Sequence, residues 1–448
     1  METAFSSGWS SALVGGADTI VARATPAGRG GLAVIRISGP DARGVAAALC
    51  PEVDLEVGWV ARLGTLRDRE GARLDRVVVT SFPGPRSYTG EDMVEISVHG
   101  SPWLVARALE AAVAAGARPA APGEFTRRAV ANGKLDLVQA EAVNDLVRAQ
   151  TAWQARLARS QLEGVLSKRF AVLRDGLVAV LAEIEGALDF APHDIAYRAD
   201  EVRRGVDEAR AEIAALVATA AAGRRVREGL RLAILGPRNS GKSTLFNLLV
   251  GRERAIVSPH PGTTRDVVEA EVEIGGVAVV LQDTAGVGDA ADPVEAEGMR
   301  RARGAAAEAD AVLLLWPADG SRPQPEEAGF GRPAVAIRSK WDLAAGSVED
   351  GWLAVSCSTG EGVDALRRAL EAVVASEVAD LGGEVAVSER HRAALERASA
   401  ELEGAEVARP ELAAEAVRAA LESLAELTGE VASEEVLDRV FATFCIGK

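Results

Sequence analysis

Cysteine is scarce. The 448 residues contain three, Cys50, Cys357 and Cys445, which do not make a disulfide framework or a zinc site, and a reducing cytosol fits them. Positive charge is also short: 50 Lys and Arg against 66 Asp and Glu leave a formal net charge of −16, which argues against coating nucleic acid by bulk electrostatics. Any RNA contact needs a local basic cluster. Arg127-Arg128, Arg224-Arg225-Arg227 and Arg300-Arg301-Arg303 are the candidates, each read more simply as a solvated helix face. No apolar run of roughly 18 residues occurs, so no membrane helix is expected. The opening METAFSSGWSSALVGG lacks a basic start and an unbroken apolar core, so it is no secretory signal. The chain is read as cytoplasmic, with residues 1–17 as a flexible N-terminus. What is present is ordinary for folded protein: 48% hydrophobic and 26% charged residues, and a length that suggests about three domains.

Residues 18–120 mix strands with helices. Thr19–Ala22, Leu32–Ile37, Val60–Leu66, Arg76–Ser81 and Met93–Val98 are short, rich in Val, Ile and Leu, and partly alternate apolar with polar, which predicts strands. Ala-rich stretches at Asp41–Leu49 and Trp103–Ala115 predict helices. This is an α+β N-terminal domain, with Gly-rich loops at Pro26–Gly31 and Pro83–Gly90. From Lys134 the texture turns helical. Leu162, Leu166, Phe170, Leu173, Leu177, Leu181, Ile184 and Leu188 recur at helical spacing and stack one apolar stripe along a helix of about seven turns. The pattern breaks at Phe190–Asp194 and resumes over Asp200–Ala222; it returns at Ser388–Gly404, Pro410–Leu427 and Ser433–Phe444. An α-helical bundle interrupted by an inserted domain, or two separate helical domains, would read this way.

Residues 229–380 alternate strand and helix as a parallel α/β sheet does. The organising stretch is Leu232–Asn247, LAILGPRNSGKSTLFN: an apolar strand, a turn holding Gly236, Asn239, Ser240 and Gly241, and a helix opened by Lys242, Ser243 and Thr244. That is a phosphate-binding loop. Its glycines let the backbone wrap a phosphate chain, Lys242 would reach the β- and γ-phosphates, and the Ser243 hydroxyl would ligate Mg²⁺. Pro261–Asp266 supplies Thr264 to complete the Mg²⁺ shell. Strand Val277–Leu281 runs into Asp283-Thr284-Ala285-Gly286, with Asp283 behind the metal and the Gly286 N–H toward the γ-phosphate. Ala311–Leu315 is another buried strand; Val335–Ile337 leads into Ser339-Lys340-Trp341-Asp342, and Leu353–Val355 into Ser356-Cys357-Ser358. A carboxylate such as Asp342 accepts the N1–H and 2-amino hydrogens of guanine, which adenine cannot offer. In this order the pieces predict a P-loop α/β (Ras-like) GTPase domain. Val287 stands where regulatory GTPases keep a water-orienting glutamine. Hydrolysis is therefore slow, partner-dependent or served by another residue. Glu295 is the candidate, although spacing alone reads it as an exposed acidic loop residue.

Taken together, DTIVARATPAGRGG (Asp18–Gly31), SYTGEDMVEISVHG (Ser87–Gly100), PGEFTRRAVANGKLDLVQAEAVNDL (Pro122–Leu146), the GPRNSGKSTLFN loop, VSPHPGTTRDV (Val257–Val267) and the terminal FCIGK (Phe444–Lys448) resemble the MnmE (TrmE) tRNA-modification GTPases. The resemblance implies a folate-binding, dimerising α+β domain over 18–132, a helical domain over 133–226 and 381–448, and a GTPase domain over 227–380 inserted into it. It implies Mg²⁺, K⁺ and a tetrahydrofolate derivative (5,10-methylene or 5-formyl) as cofactors. The implied partners are a second copy, a MnmG-type flavoprotein carrying FAD in a heterotetramer, and tRNA, with no membrane. With them the family installs an aminomethyl-type group on C5 of the wobble uridine.

Residue by residue, the resemblance matches Arg36, Glu95, Lys134 and Lys448 to folate-contacting positions and Cys445 to a cysteine near the folate. Without it, Arg36 and Glu95 read as a surface cross-strand pair. Asn239, Ser258, His260 and Thr263 match the K⁺ site, the last two through backbone carbonyls, and Glu295 falls on the catalytic glutamate. The chain departs from the pattern at Ser339, where Asn is usual. Loss of that amide is expected to untie the base site from the phosphate loop and weaken guanine binding, with specificity kept by Asp342. The span Trp316–Pro333 is compact, so a helix there is expected to be short or lost. The competing readings are a ribosome-assembly GTPase, which needs a basic RNA-binding domain absent from the acidic flanks, and a folate-dependent one-carbon transferase that uses GTP only for regulation.

Overall fold

The alternating segments of the N-terminal part pair into one sheet. A computed structural model describes residues 18–189, 197–255, 268–283, 304, 307–318, 334–344, 348, 350–379, 385–431 and 433–448. Strands β1 (Ile20–Arg23), β2 (Leu32–Ser38), β3 (Ala61–Arg67), β4 (Arg73–Phe82), β5 (Met93–His99) and β6 (Arg118–Pro119) lie in the order β3-β4-β5-β2-β1-β6. Because side chains alternate across a strand, the register sends Ala33, Ile35, Ile37, Val77, Val79, Val94, Ile96 and Val98 to one face. There they meet Val45 and Leu49 of helix Ala42–Leu49 and Val105 and Ala108 of helix Pro102–Ala114. The same register places Arg36 opposite Glu95 on the other face.

Two compact units divide the chain: Met1–Asn144 with Ala425–Lys448, and Asp145–Leu424. Residues 425–448, which the resemblance implies are part of the helical domain, lie in the first of these units. Phe441 and Phe444 cluster with Leu137 and Ala140. Ile446 forms an antiparallel bridge to Pro122, and Gly123 N–H donates to the Cys445 carbonyl at 3.4 Å. Gly123 is left-handed at φ 67°, and a Cβ there would stand 3.0 Å from the Phe441 carbonyl oxygen, so a larger residue would be strained and would press on this close approach.

In the second unit Leu162, expected in the same helix as the rest of the apolar stripe, ends the preceding one, Ala152–Leu162. The stripe from Leu166 onward forms helix Val165–Asp189, which buries Leu166, Phe170, Leu173, Leu177, Val180 and Ile184 and leaves Leu188 38% exposed. Helix Ala199–Ala218 runs antiparallel to it, with ion pairs Arg169–Glu212 and Arg198–Glu183 at 2.7 and 2.6 Å. Helices before and after the central sheet pack on each other. The Phe170 and His391 rings are 5.6 Å apart, Gln161 Nε2 donates to Ala386 O at 2.7 Å, and Tyr197 Oη to Val407 O at 2.7 Å. The sheet is therefore an insertion in one helical body rather than a link between two.

That sheet contains β7 (Leu230–Leu235), β8 (Arg254–Ala255), β9 (Val268–Ile274), β10 (Val277–Asp283), β11 (Ala311–Pro317), β12 (Ala334–Ser339) and β13 (Trp352–Val355), in the order β13-β12-β11-β7-β10-β9-β8. Most of its strands run parallel, and β9 runs antiparallel to β10 and β8. Gly275 and Gly276, both with positive φ (60° and 81°), make the two-residue turn that joins β9 to β10, and few other residues could.

The basic clusters also turn out differently from the expected solvated faces. Arg127 and Arg128 are 8% and 6% exposed. Arg127 pairs with Glu434 and Asp438, and Arg128 with Asp18, Glu91 and Glu124. Arg224 and Arg225 hold Asp310, and Arg227 donates to Val387 O. Each of these arginines is thus committed to a partner within the protein. Arg300, Arg301 and Arg303, the N-terminus 1–17, the break at Phe190–Asp194 and residues 319–333 lie outside the described residues. No helix among the described residues is long and apolar enough to cross a membrane.

Candidate functional site

Parallel strands β7, β10, β11, β12 and β13 end at one edge of the sheet, and the loops leaving them build the nucleotide site. After β7 the chain turns at Gly236, where a Cβ would stand 2.2 Å from the Leu315 carbonyl oxygen. It passes Asn239 and Gly241, both left-handed at φ 59° and 93°, and enters helix Lys242–Arg252. Lys242 curls back over the loop: its ammonium donates to the carbonyls of Gly236 at 3.1 Å and Pro237 at 2.9 Å. Burial lowers its pKa, with Asp283 opposing. Ser243 Oγ donates to Asp283 Oδ2 at 2.7 Å, which brings together the hydroxyl and carboxylate named for Mg²⁺; Thr244 and Asn239 are exposed.

At the far side β12 ends in Ser339. Lys340 turns left-handed at φ 56° into a short turn, Trp341–Leu343, that presents Asp342. Asp342 Oδ1 accepts from Ser356 Oγ at 2.6 Å, and Ser356 Oγ lies 2.9 Å from Ser358 Oγ. The Ser356 hydrogen bond holds the Asp342 carboxyl below its ordinary pKa. Cys357, between them, has its thiol pushed up by burial and by the Asp342 charge, so it is no activated nucleophile. Gly362 shapes the return: at φ 77°, a Cβ would sit 1.8 Å from the Ala354 carbonyl oxygen.

One expectation is overturned here. Ser339 was expected to lose the tie between base site and phosphate loop, yet its hydroxyl donates to the Ser240 carbonyl at 2.6 Å with both residues buried. The shorter side chain still reaches because the end of β12 lies directly beneath the loop. Ser258, His260, Thr263, Thr264, Thr284, Ala285, Gly286 and Glu295, together with Val287, lie outside the described residues.

In the first unit, Arg36 and Glu95 face each other across β2 and β5, with Nη2 2.8 Å from Oε1. Arg36 Nη1 also donates to the Gly447 carbonyl at 3.1 Å, and its guanidinium lies 5.7 Å from the Tyr88 ring centroid and 5.6 Å from that of Phe125. Lys448 is beside it: burial first, then the Arg36 charge, lowers the pKa of its ammonium against the pull of Cys445 and Glu95. Cys445 is exposed. Lys134 is exposed beside Gly90, its Cγ 3.3 Å from where a Cβ on that glycine would be. The aromatic walls Tyr88 and Phe125 were not singled out by the sequence, although Tyr88 lies in the Gly-rich loop and Phe125 in the PGEFTRR motif.

The model of the GTP-binding protein TrmE N-terminus matches residues 19–134, and that of the MnmE helical domain residues 137–445. A tRNA modification GTPase MnmE from Halorhodospira halophila is 46% identical over 459 residues, covering 96% of this chain and 96% of that one. Those from Thermus thermophilus and Methylobacterium radiotolerans are 43% and 45% identical, each covering 96% of this chain and 99% of its own. A phosphate loop, a magnesium-type hydroxyl and carboxylate pair and a guanine-type carboxylate at one sheet edge agree with full-length kinship of this order, and the chain belongs to the MnmE family of tRNA modification GTPases.

Proposed function

We propose that the protein is a K⁺-stimulated GTPase that acts with a MnmG-type flavoprotein to add an aminomethyl or carboxymethylaminomethyl group to C5 of the wobble uridine of certain tRNAs. The one-carbon unit comes from a tetrahydrofolate derivative. The observation that supports it most is the gathering of Lys242, the Ser243–Asp283 pair and Asp342 at one sheet edge in a chain related along its length to MnmE proteins. Mg²⁺ and K⁺, when bound, supply positive charge against the phosphates. Ser243 beside Asp283 is an oxygen donor set that suits a hard cation, with Thr264 as the further ligand. Asn239, Ser258, His260 and Thr263 would hold K⁺. Lys242 exchanges two loop carbonyls for phosphate oxygens, and Glu295 orients water.

Arg36 and Lys448, two neighbouring cations, suit the carboxylates of a glutamyl folate, with Glu95 and Lys134 completing the contacts. The N-terminal domain serves as the dimer contact, FAD resides on the partner, and the complex works in the cytoplasm. Purified protein is expected to hydrolyse GTP faster in K⁺ than in Na⁺, and a deletion strain to lose the modified wobble nucleoside. Equal rates with an unchanged nucleoside profile would rule the reading out.

A further inference from the structure

We infer that Ser339 is a positioning residue for phosphate binding: by holding the Ser240 carbonyl, its hydroxyl aims the Gly241 N–H at the phosphate chain. The Ser240 carbonyl and the Gly241 N–H belong to one planar trans peptide, so they point in opposite directions. Ser339 Oγ pulls the carbonyl inward at 2.6 Å, in a place where Ser339 is 4% and Ser240 0% exposed. The N–H is thereby turned away from the interior, at the residue that caps helix Lys242–Arg252.

The peptide needs such a hold. Asn239 and Gly241 on either side of Ser240 are left-handed, and although the Gly241 carbonyl accepts from Leu245 N–H at 2.9 Å, a Cβ added to Gly241 would meet nothing within 4 Å, so the Ser240–Gly241 peptide has room to turn. Ser339 in turn is fixed from both sides: it lies in register with Pro317 of β11 and Val355 of β13, and its carbonyl accepts from Ala318 N–H at 2.8 Å. A serine side chain committed to the loop leaves base reading to Asp342, which is held separately by Ser356. The tie to the phosphates and the recognition of the base are thus carried by different side chains.

The inference rests on the nucleotide reading of the loop, which GDP binding by the unaltered protein checks independently. Replacing Ser339→Ala strands a buried carbonyl and frees the peptide, so GDP and GTP should both bind roughly tenfold more weakly. The preference for GTP over XTP should be unchanged, because Asp342 is untouched. Ser339→Thr keeps the hydroxyl in a strand position that accepts β-branching, and should restore affinity to within about twofold. Titration of all three proteins with fluorescent GDP, GTP and XTP, with melting curves as the control on folding, decides it. Unaltered GDP and GTP affinity in a folded Ser339→Ala protein would overturn the inference, as would a changed base preference or failure of a folded Ser339→Thr protein to recover.

Discussion

At Asp342 the carboxylate is already oriented by the Ser356 hydroxyl before any base arrives. Replacing Asp342→Asn puts a donor where guanine also donates. GTP affinity should then fall by about ten- to a hundredfold while xanthine nucleotide, with an acceptor at that edge, gains; competition titration with GTP and XTP reads this directly. Glu124 shows another single-residue effect. Burial pushes its carboxyl up, but hydrogen bonds from Arg118 and Ala121 N–H and the charges of Arg118 and Arg128 outweigh that and hold it below its ordinary value of 4.5. Its folded pKa is depressed, so its stabilising contribution is full above 4.5 and is lost as pH falls through the folded value. Thermal melts on either side of that window should show the loss, and Glu124→Gln should flatten it.

Elements formed where local pattern decides and were missed where distant partners decide. The strands of the first sheet were legible because Ile35, Ile37, Val94 and Ile96 alternate with polar neighbours. The β9–β10 hairpin was missed although Gly275-Gly276 is its turn, because the alternation of parallel strands and helices was carried through the whole segment. Arg127 looked like a surface charge because its partners, Glu434 and Asp438, lie 307 and 311 positions away. Motif order alone names Lys242, Ser243, Asp283 and Asp342 as candidates, whereas the Ser339 hold depends on a distance no spacing encodes. The docked C-terminal segment is itself testable. Gly447 is left-handed at φ 95°, and a Cβ would sit 2.1 Å from the Arg23 carbonyl oxygen. Gly447→Ala should displace Lys448 at a cost of about 1–3 kcal/mol. With the folate site as proposed, calorimetry should find weaker binding of a tetrahydrofolate with GDP binding intact.

Across the larger unit, one core runs from the sheet into the flanking helices. Leu157, Ala222, Val226 and Ala386 share a cluster with Leu232, Leu313 and Leu370. Asp310 clamps this joint: 5% exposed, it receives Arg224, Arg225 and the Arg231 N–H at the start of β7 and β11. Asp310→Ala leaves these donors without their acceptor and should cost about 3–5 kcal/mol, seen as a lowered melting temperature of the transition that GDP raises. The first unit has a different dependence. Its helix Glu124–Ala131 waits for Glu434 and Asp438, and Leu137 for Phe441 and Phe444, all encoded after residues 145–424. On the ribosome the earliest part of the chain therefore emerges with a buried-type arginine unpaired and an apolar seat empty. Its completion comes only after the whole second unit has been synthesised, so that nascent N-terminal sequence is a natural client for chaperones.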